Sequence, residues 1–516
     1  MKLISFKQSF IAFGVLLALA SCDTDEKLEV KGDGVVLEQD FYRNETEAYS
    51  GLVAAYDKLG KYAGAMENAP LLFLNSASDD FYAGGGGAGD QPGLQVASNY
   101  SITPTNIPPA IWADYYKGVA RCNIMVVKLP GIPMDETKKA RFMAEVKALR
   151  AYYYFDLVRM FKNIPLILTP LTKEEIPLVM QAAPADVYAQ IEKDLNEAIP
   201  NLPMTLPANE LGRLTKGAAT ALLGKVYLYD NKKTEAAAQL ALVNGTPGGT
   251  SSFGYKLMED FAELWDKKHE FNSESILEIS YSDKSNADWG NFERGDDEGN
   301  VAAQLMGIRD YHRTEVGIAA LLPDYINGWG FCVVSTQLVT AMQGDPRFAS
   351  TIINTGVLRG NTSIPLDKPD PTRLITYTDS YNETGYHFIK YAPVNDDIKA
   401  ANPFLNFGIN TYVIRLADTY LLEAEALGGT GARAQALLDA VRDRVGLAPV
   451  PVSLNAIYEE RRLELAGEGH RWFDLVRTGQ AAAKLAFKGF TANKNEVFPI
   501  PYSEFNNTKM VQNQNY

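Results

Sequence analysis

The residues from Glu460 to Gly479 read ERRLELAGEGHRWFDLVRTG, with eight charged side chains and a histidine set around Gly467 and Gly469. Glu460, Glu464 and Glu468 recur at a spacing of four, which places them on one face of a helix as far as Gly467. Arg461, Arg462, Arg471 and Arg477 match the acids in number. Such a stretch has the groups for acid–base chemistry, and equally those for an ion-pair network that the fold requires. Other stretches fall short of chemistry more plainly. Gly84–Gly89 (GGGGAG) satisfies a GxGxxG pattern, but Asp90, Gln91, Pro92 and Gly93 follow it where a phosphate cradle needs a helix N-terminus, so it reads as a mobile loop. His269 lacks the second histidine of a zinc-protease motif, and four histidines form no cluster along the chain. Asp296, Asp297 and Glu298 lack the spacing of an EF-hand loop and read as solvated loop acids. The sequence has no GxSxG elbow and no Walker loop. With 63 acidic residues, carboxylate pairs suited to glycoside hydrolysis arise by chance and carry no evidence.

The elements that must position these residues begin with a leader, MKLISFKQSFIAFGVLLALASC. Lys2 and Lys7 precede an uncharged apolar run from Phe10 to Ala20, too short to span a bilayer and laid out like a secretory signal. Leu19–Cys22 (LASC) resembles a bacterial lipoprotein box, so residues 1–21 are expected to be removed and Cys22 lipidated. No later stretch is apolar for long enough to span, which leaves lipid as the membrane anchor. Residues 22–40 read as an acidic, flexible tether. Its acids directly behind the cysteine resemble the surface-export signal of Bacteroidetes lipoproteins. The formal charge is −14 with no offsetting basic patch, which makes nucleic acid and anionic headgroups poor partners. Cys122 and Cys332 either pair or stay as buried free thiols, and nothing in the sequence requires pairing.

Helical patterns then come in bursts. They start at Glu45, Ile111, Lys138, Pro184, Thr215, Lys233, Thr411, Ala432 and Asn455. In the third, Phe142, Val146, Leu149, Tyr153, Leu157 and Met160 form one apolar stripe that stops short of Pro165. Several are pairs joined by short turns with small residues beside aromatics, a texture similar to tetratricopeptide units without a strict repeat. From Asn244 to Asn410 turn residues are dense and strands short, as in SILEISY from Ser275 and YHFIKY from Tyr386. The expected architecture is mostly α: a helical scaffold over about 41–243 and 411–516. A loop-rich region over about 244–410, joined by the loop at 75–100, is mounted on it.

Several of these segments together resemble the SusD/RagB family, surface nutrient-binding lipoproteins of Bacteroidetes that cap a partner porin. EVKALRAYYYFDLVRMFKNIPL from Glu145, GRLTKGAATALLGKVYLY from Gly212, GDPR at Gly344–Arg347 and VIRLADTYLLEAEAL from Val413 each resemble a family segment. So does ERRLELAGEGHRWFDLVR, and VFPIPYSEFNNTKMVQNQNY resembles the closing tail, with Gln514 and Asn515 where the family usually has Pro-Gly. The resemblance covers Cys22 to Tyr516. It implies tetratricopeptide-like helix pairs, a variable ligand region and no enzymatic activity, and no cofactor is expected. It also implies that Glu464, Glu468, Arg471, Asp474 and Arg477 stitch one helix to the next across the Gly467–Gly469 break, since buried charges must be paired.

The function implied is capture of an oligosaccharide at the outer surface and delivery to a SusC-like TonB-dependent transporter. Sugar rings pack their apolar faces on aromatic rings, so exposed aromatics in loops are the expected platform. Tyr82, Trp289, Phe292, Tyr311 and Trp329 fill that role, with Asp80 and Asn291 as polar partners. Trp112, Trp265 and Trp472 are expected in the core. A peptide ligand, as some relatives take, is the alternative. A glycoside hydrolase and a helical scaffold without ligand are the remaining ones.

Overall fold

The computed structural model describes residues 41–60, 69–284, 288, 298–314, 322–360, 363, 372–397 and 403–516. The scaffold starts with α1 (Glu45–Tyr56), whose free N–H groups are capped by the Asn44 side chain accepting from Glu47 N at 3.1 Å. After α2 (Pro70–Ala77), β1 (Phe81–Gly84) and α3 (Pro92–Ser98) come the long helices α4 (Ala110–Lys128) and α5 (Glu136–Phe161). Asp135 caps α5, Thr215 caps α7 (Lys216–Tyr229), and Pro184 opens α6 (Pro184–Ala198) at a position where no N–H is needed. α8 (Lys233–Asn244) closes this half. Each helix packs on the next in chain order from α4 to α8. Small residues set the spacing: a Cβ on Gly118 would lie 2.5 Å from the Tyr153 ring, and one on Gly224 would lie 2.7 Å from Leu240. The small-beside-large texture of the sequence is therefore helix-pair packing.

The middle of the chain holds β2 (Ser275–Ile279), α9 (Val301–Met306), β3 (His312–Arg313), β4 (Phe331–Val334), α10 (Thr336–Ala341), β5 (Ile352–Asn354), β6 (Ile375–Thr376) and β7 (Tyr386–Phe388), with one-turn helices at Phe348–Thr351 and Thr355–Leu358. β8 (Thr411–Arg415) leads into α11 (Leu416–Ala426), α12 (Gly431–Asp443), α13 (Leu454–Glu464) and α14 (Arg471–Arg477). Among the described residues the strands form four antiparallel ribbons: β1 with β4, β2 with β8, β3 with β6, and β5 with β7. α11 packs on α8, so the second helical half continues the first.

Two expectations change. The pattern from Thr411 is not one helix: Thr411–Arg415 is a strand paired to β2, with Ile414 opposite Leu277 and Tyr412 opposite Glu278, and the helix begins at Leu416. Thr411, Val413 and Ile414 are β-branched and favour the pleated surface. The stretch 75–100, read as a loop, contains the end of α2, all of β1 and α3. One large apolar core runs from Ala48 to Ile500, and Trp472 stacks on Phe498 within it at 4.4 Å between centroids. At the tail, Asn515 takes φ 74°, the left-handed conformation that the usual glycine provides and that Asn tolerates.

Candidate functional site

The charged stretch is a buried network, and its partners come mostly from outside itself. Glu464 binds Arg415 Nη1 at 2.5 Å, Arg347 Nη1 at 2.8 Å and the Arg444 guanidinium. Burial alone would raise its pKa, but the three arginines hold it well below the ordinary carboxylate range. Glu468 binds Arg415 Nε at 2.7 Å and Lys390 Nζ at 2.9 Å. Arg461 spans Asp418 and Asp474, and Arg477 joins Asp474 to Glu425. Arg471 grips Asp79 with two bonds of 2.8 Å, while Arg462 donates twice to Asp80 Oδ1 at 2.8 and 2.7 Å. Only the contacts of Asp474 with Arg461 and Arg477 lie within the stretch. The rest tie it to α11 through Asp418 and Glu425, to the end of α12 through Arg444, and to the turn before β1, the GDPR turn, the residues after β7 and β8. The network therefore fastens the loop-rich region to the scaffold.

That fastening determines where β1 lies. Buried Lys488 donates from Nζ to the carbonyls of Ser76, Ser78 and Phe81 at 2.6 to 2.7 Å, and burial pushes its pKa down to about 7. Tyr82, half-buried, lies with its ring 5.6 Å from the same nitrogen and edge-on to exposed Phe487. Past Gly84 the glycine loop is closed by hydrogen bonds rather than left mobile. Gly85 N donates to Gly330 O at 2.9 Å, Gly86 N to Asp90 Oδ2 at 2.8 Å, and Gln95 Nε2 to Gly84 O and Asp90 O. A helix does follow the loop, α3 from Pro92, contrary to the reading of the sequence, and the carboxylate of Asp90 binds the loop from within.

Trp329, half-buried, stands on a neighbouring turn. Its backbone N–H donates to Gln304 O, Gly328 N to Ile308 O and Gly330 N to Gly307 O. The two backbones run so close that a Cβ on Gly328 would lie 2.1 Å from the carbonyl carbon of Gly307. A third turn joins them: Tyr381 N donates to Gly85 O at 2.8 Å, and Arg309 Nη1 donates to Asp379 O. Tyr82 in β1 and Trp329 and Tyr381 on two turns thus lie on segments hydrogen-bonded to one another at the β1–β4 ribbon.

Two residues expected to face a ligand are committed elsewhere. Asp80 is fully buried beneath Arg462, and Tyr311 is buried against Tyr325 with its hydroxyl donating to Pro323 O. A carboxylate inside an ion-pair network and a ring inside an apolar cluster offer nothing to solvent. Trp289, Asn291 and Phe292 lie outside the described residues, as do Asp296, Asp297 and Cys22. Trp112 and Trp472 are buried, and Trp265 is half-buried against Tyr391 and Tyr412. Cys122 and Cys332 are buried free thiols, their pKa raised by burial. Among the described residues no His, Cys, Asp and Glu side chains are grouped to hold a metal, and no helix is long and apolar enough to cross a membrane.

A family model described as "SusD family" matches residues 273–516, and one described as "Starch-binding associating with outer membrane" matches residues 90–228. A solved structure titled "Laminarin binding SusD-like protein" is 52% identical, covers 92% of this chain and 100% of its own, and superposes with a TM-score of 0.87. The chain belongs to the SusD family. SusD-like protein P38 of Formosa agariphila is 25% identical over 99% of both chains. Surface glycan-binding protein A from Bacteroides thetaiotaomicron, solved in complex with laminarihexaose, is 27% identical over 91% of this chain and 99% of that one, with a TM-score of 0.77. In this SusD-family chain, sequence reading missed Tyr381 and Phe487 at the same face, 40% and 47% exposed. Tyr381 has the signal that picked out Tyr82, an aromatic in a turn-rich stretch. Phe487 carries none, because it follows the helical signature and reads as core.

Proposed function

We propose that the protein binds an oligosaccharide of the laminarin type on the face built by the β1–β4 ribbon. The observation that carries this is the backbone hydrogen bonding that links β1, bearing Tyr82, to the turns bearing Trp329 and Tyr381, in a chain 52% identical to a laminarin-binding structure. Aromatic faces accept the C–H faces of sugar rings, and loops held in place before binding lose little entropy when the ligand arrives. Trp289, Phe292 and Asn291 are further ligand-binding residues in this reading. The chain acts as a lipoprotein with leader 1–21, lipidated Cys22 and tether 22–40, facing the cell exterior. It passes its ligand to a SusC-like TonB-dependent transporter and performs no catalysis. Calorimetric titration with laminarihexaose tests the central claim. Trp329→Ala and Trp289→Ala should each weaken binding at least several-fold while the melting temperature changes little. Normal binding by both variants would place the site elsewhere, and early melting of both would make them core residues. Hydrolysis of laminarin by the purified protein would overturn the non-catalytic reading.

A further inference from the structure

Between α8 and β2 the chain makes a tight turn far along the sequence from the loops described above. Ser251 N donates to Tyr255 O at 2.8 Å, Gly254 N to Ser251 O at 2.9 Å, and Tyr255 N to Ser251 Oγ at 3.2 Å. The turn presents two half-buried rings side by side. Phe253 and Tyr255 have centroids 6.2 Å apart and planes only 30° from parallel. The other aromatic ring pairs in the core mostly meet edge to face, so a gently tilted pair at a groove wall is a different arrangement. Phe271 lines the same groove with φ 53°. A bulky residue in the left-handed region is an outlier, and such outliers concentrate at ligand sites. Its strained backbone is held by N–H donation to the Glu278 carboxylate at 3.1 Å.

The three rings border a cavity of about 350 Å³, within the range of small-molecule sites. Thr205, Tyr255 and Ser273 add hydroxyl groups to its lining, the first and last of them exposed. The charged groups in the wall are already spoken for. Arg213 donates to Glu145 and Glu210, and Glu278 accepts from Ser275, Asn410 and Phe271. A groove of rings and hydroxyls whose charged groups are already hydrogen-bonded within the protein suits a neutral, hydroxyl-rich ligand with apolar faces. Leu211, Gly212 and Arg213 also line a neighbouring cavity of about 270 Å³ that reaches Tyr49 and Val53.

We infer that this groove is a second oligosaccharide site, in which Phe253 and Tyr255 stack on neighbouring sugar rings and Phe271 closes the opposite wall. The inference rests on the oligosaccharide reading above and adds a separate place of binding. Titration of the full mature chain with laminarihexaose should give two sites per molecule. The Phe253→Ala/Tyr255→Ala double variant should give one, with Phe253→Tyr keeping both. Trp329→Ala should remove the other site and leave the Phe253 groove filled. If the double variant melts early, Phe253→Ala alone, which removes a half-exposed ring, gives the reading. One site in the parent chain, or unchanged stoichiometry in a folded groove variant, overturns the second site and leaves the first standing. No binding by the parent chain overturns both.

Discussion

Arg471 and His470 show how individual residues in the charged stretch act. Arg471 is buried with both ends of its fork on Asp79, so Arg471→Ala would strand a buried carboxylate. Breaking such a pair costs about 3–5 kcal/mol. We expect a loss of that size in urea unfolding, whereas an Arg471 that served the ligand would leave stability intact and abolish binding. His470 is different, because its neighbours exclude its charge. Burial and the Lys225 ammonium, 3.5 Å from Nδ1, push its pKa down to about 3 from the ordinary 6.5. The unfolded chain therefore takes up a proton that the folded chain refuses, and stability is lost as pH falls from 6.5 towards 3. At pH 5 this amounts to about 2 kcal/mol. His470→Gln should lose less stability than the parent between pH 7.5 and pH 5 by that amount, and equal losses would show that His470 is not the group titrating.

At the scale of elements, the turn carrying Trp329 depends on the near-contact of two backbones. A side chain at position 328 has no room against Gly307, so Gly328→Ala must push the Trp329 turn away from the segment after α9. Overpacking of this kind costs about 1–3 kcal/mol. The expected outcome is weakened laminarihexaose binding together with a lowered melting temperature, unlike Trp329→Ala, which should affect binding alone. A variant that binds normally would mean that the turn does not orient the ring. The same logic applies where α13 ends. Gly467 takes φ 78° and a Cβ there would lie 2.2 Å from the Phe388 ring, so the break in the helix and the seat of β7 are one feature. Gly467→Ala should therefore destabilise the fold by more than a helical Gly→Ala exchange would suggest, as read by the midpoint of denaturant unfolding.

For the whole molecule, one apolar core runs through both the scaffold and the loop-rich region. The helices pack pairwise in chain order, and the ion-pair network attaches the loop-rich region to them. The proposed anchor, Cys22, lies ahead of α1 in the sequence and outside the described residues. Each buried methylene of an acyl chain contributes about 0.8 kcal/mol, so more than one chain holds a protein durably at a membrane. Cys22→Ala should release the protein from the membrane fraction while the soluble form keeps its melting temperature and its affinity for laminarihexaose. Retention of the variant in membranes after a high-salt wash would show that the anchor is elsewhere.

The helices were legible in the sequence because their causes are local. Apolar spacing, Asn44, Asp135, Thr215 and Ser453 as caps, and Pro184 at a helix start all act within a few residues. The structural character of the charged stretch was legible too, since so many buried charges must be paired. Its partners were not. Arg471 meets Asp79 and Arg462 meets Asp80 across nearly the whole chain, and no local pattern records which distant carboxylate a guanidinium will reach. The same non-locality hid the strand at Thr411, which is a strand because β2 lies beside it. Tyr82 and Trp329 carried a signal as aromatics in turn-rich sequence, but Tyr311 carried the same one and is buried, as is Asp80, expected as a polar partner. Residue type and loop context state what a side chain can do. Whether it faces solvent is decided by what packs over it, and that is a property of the tertiary structure alone.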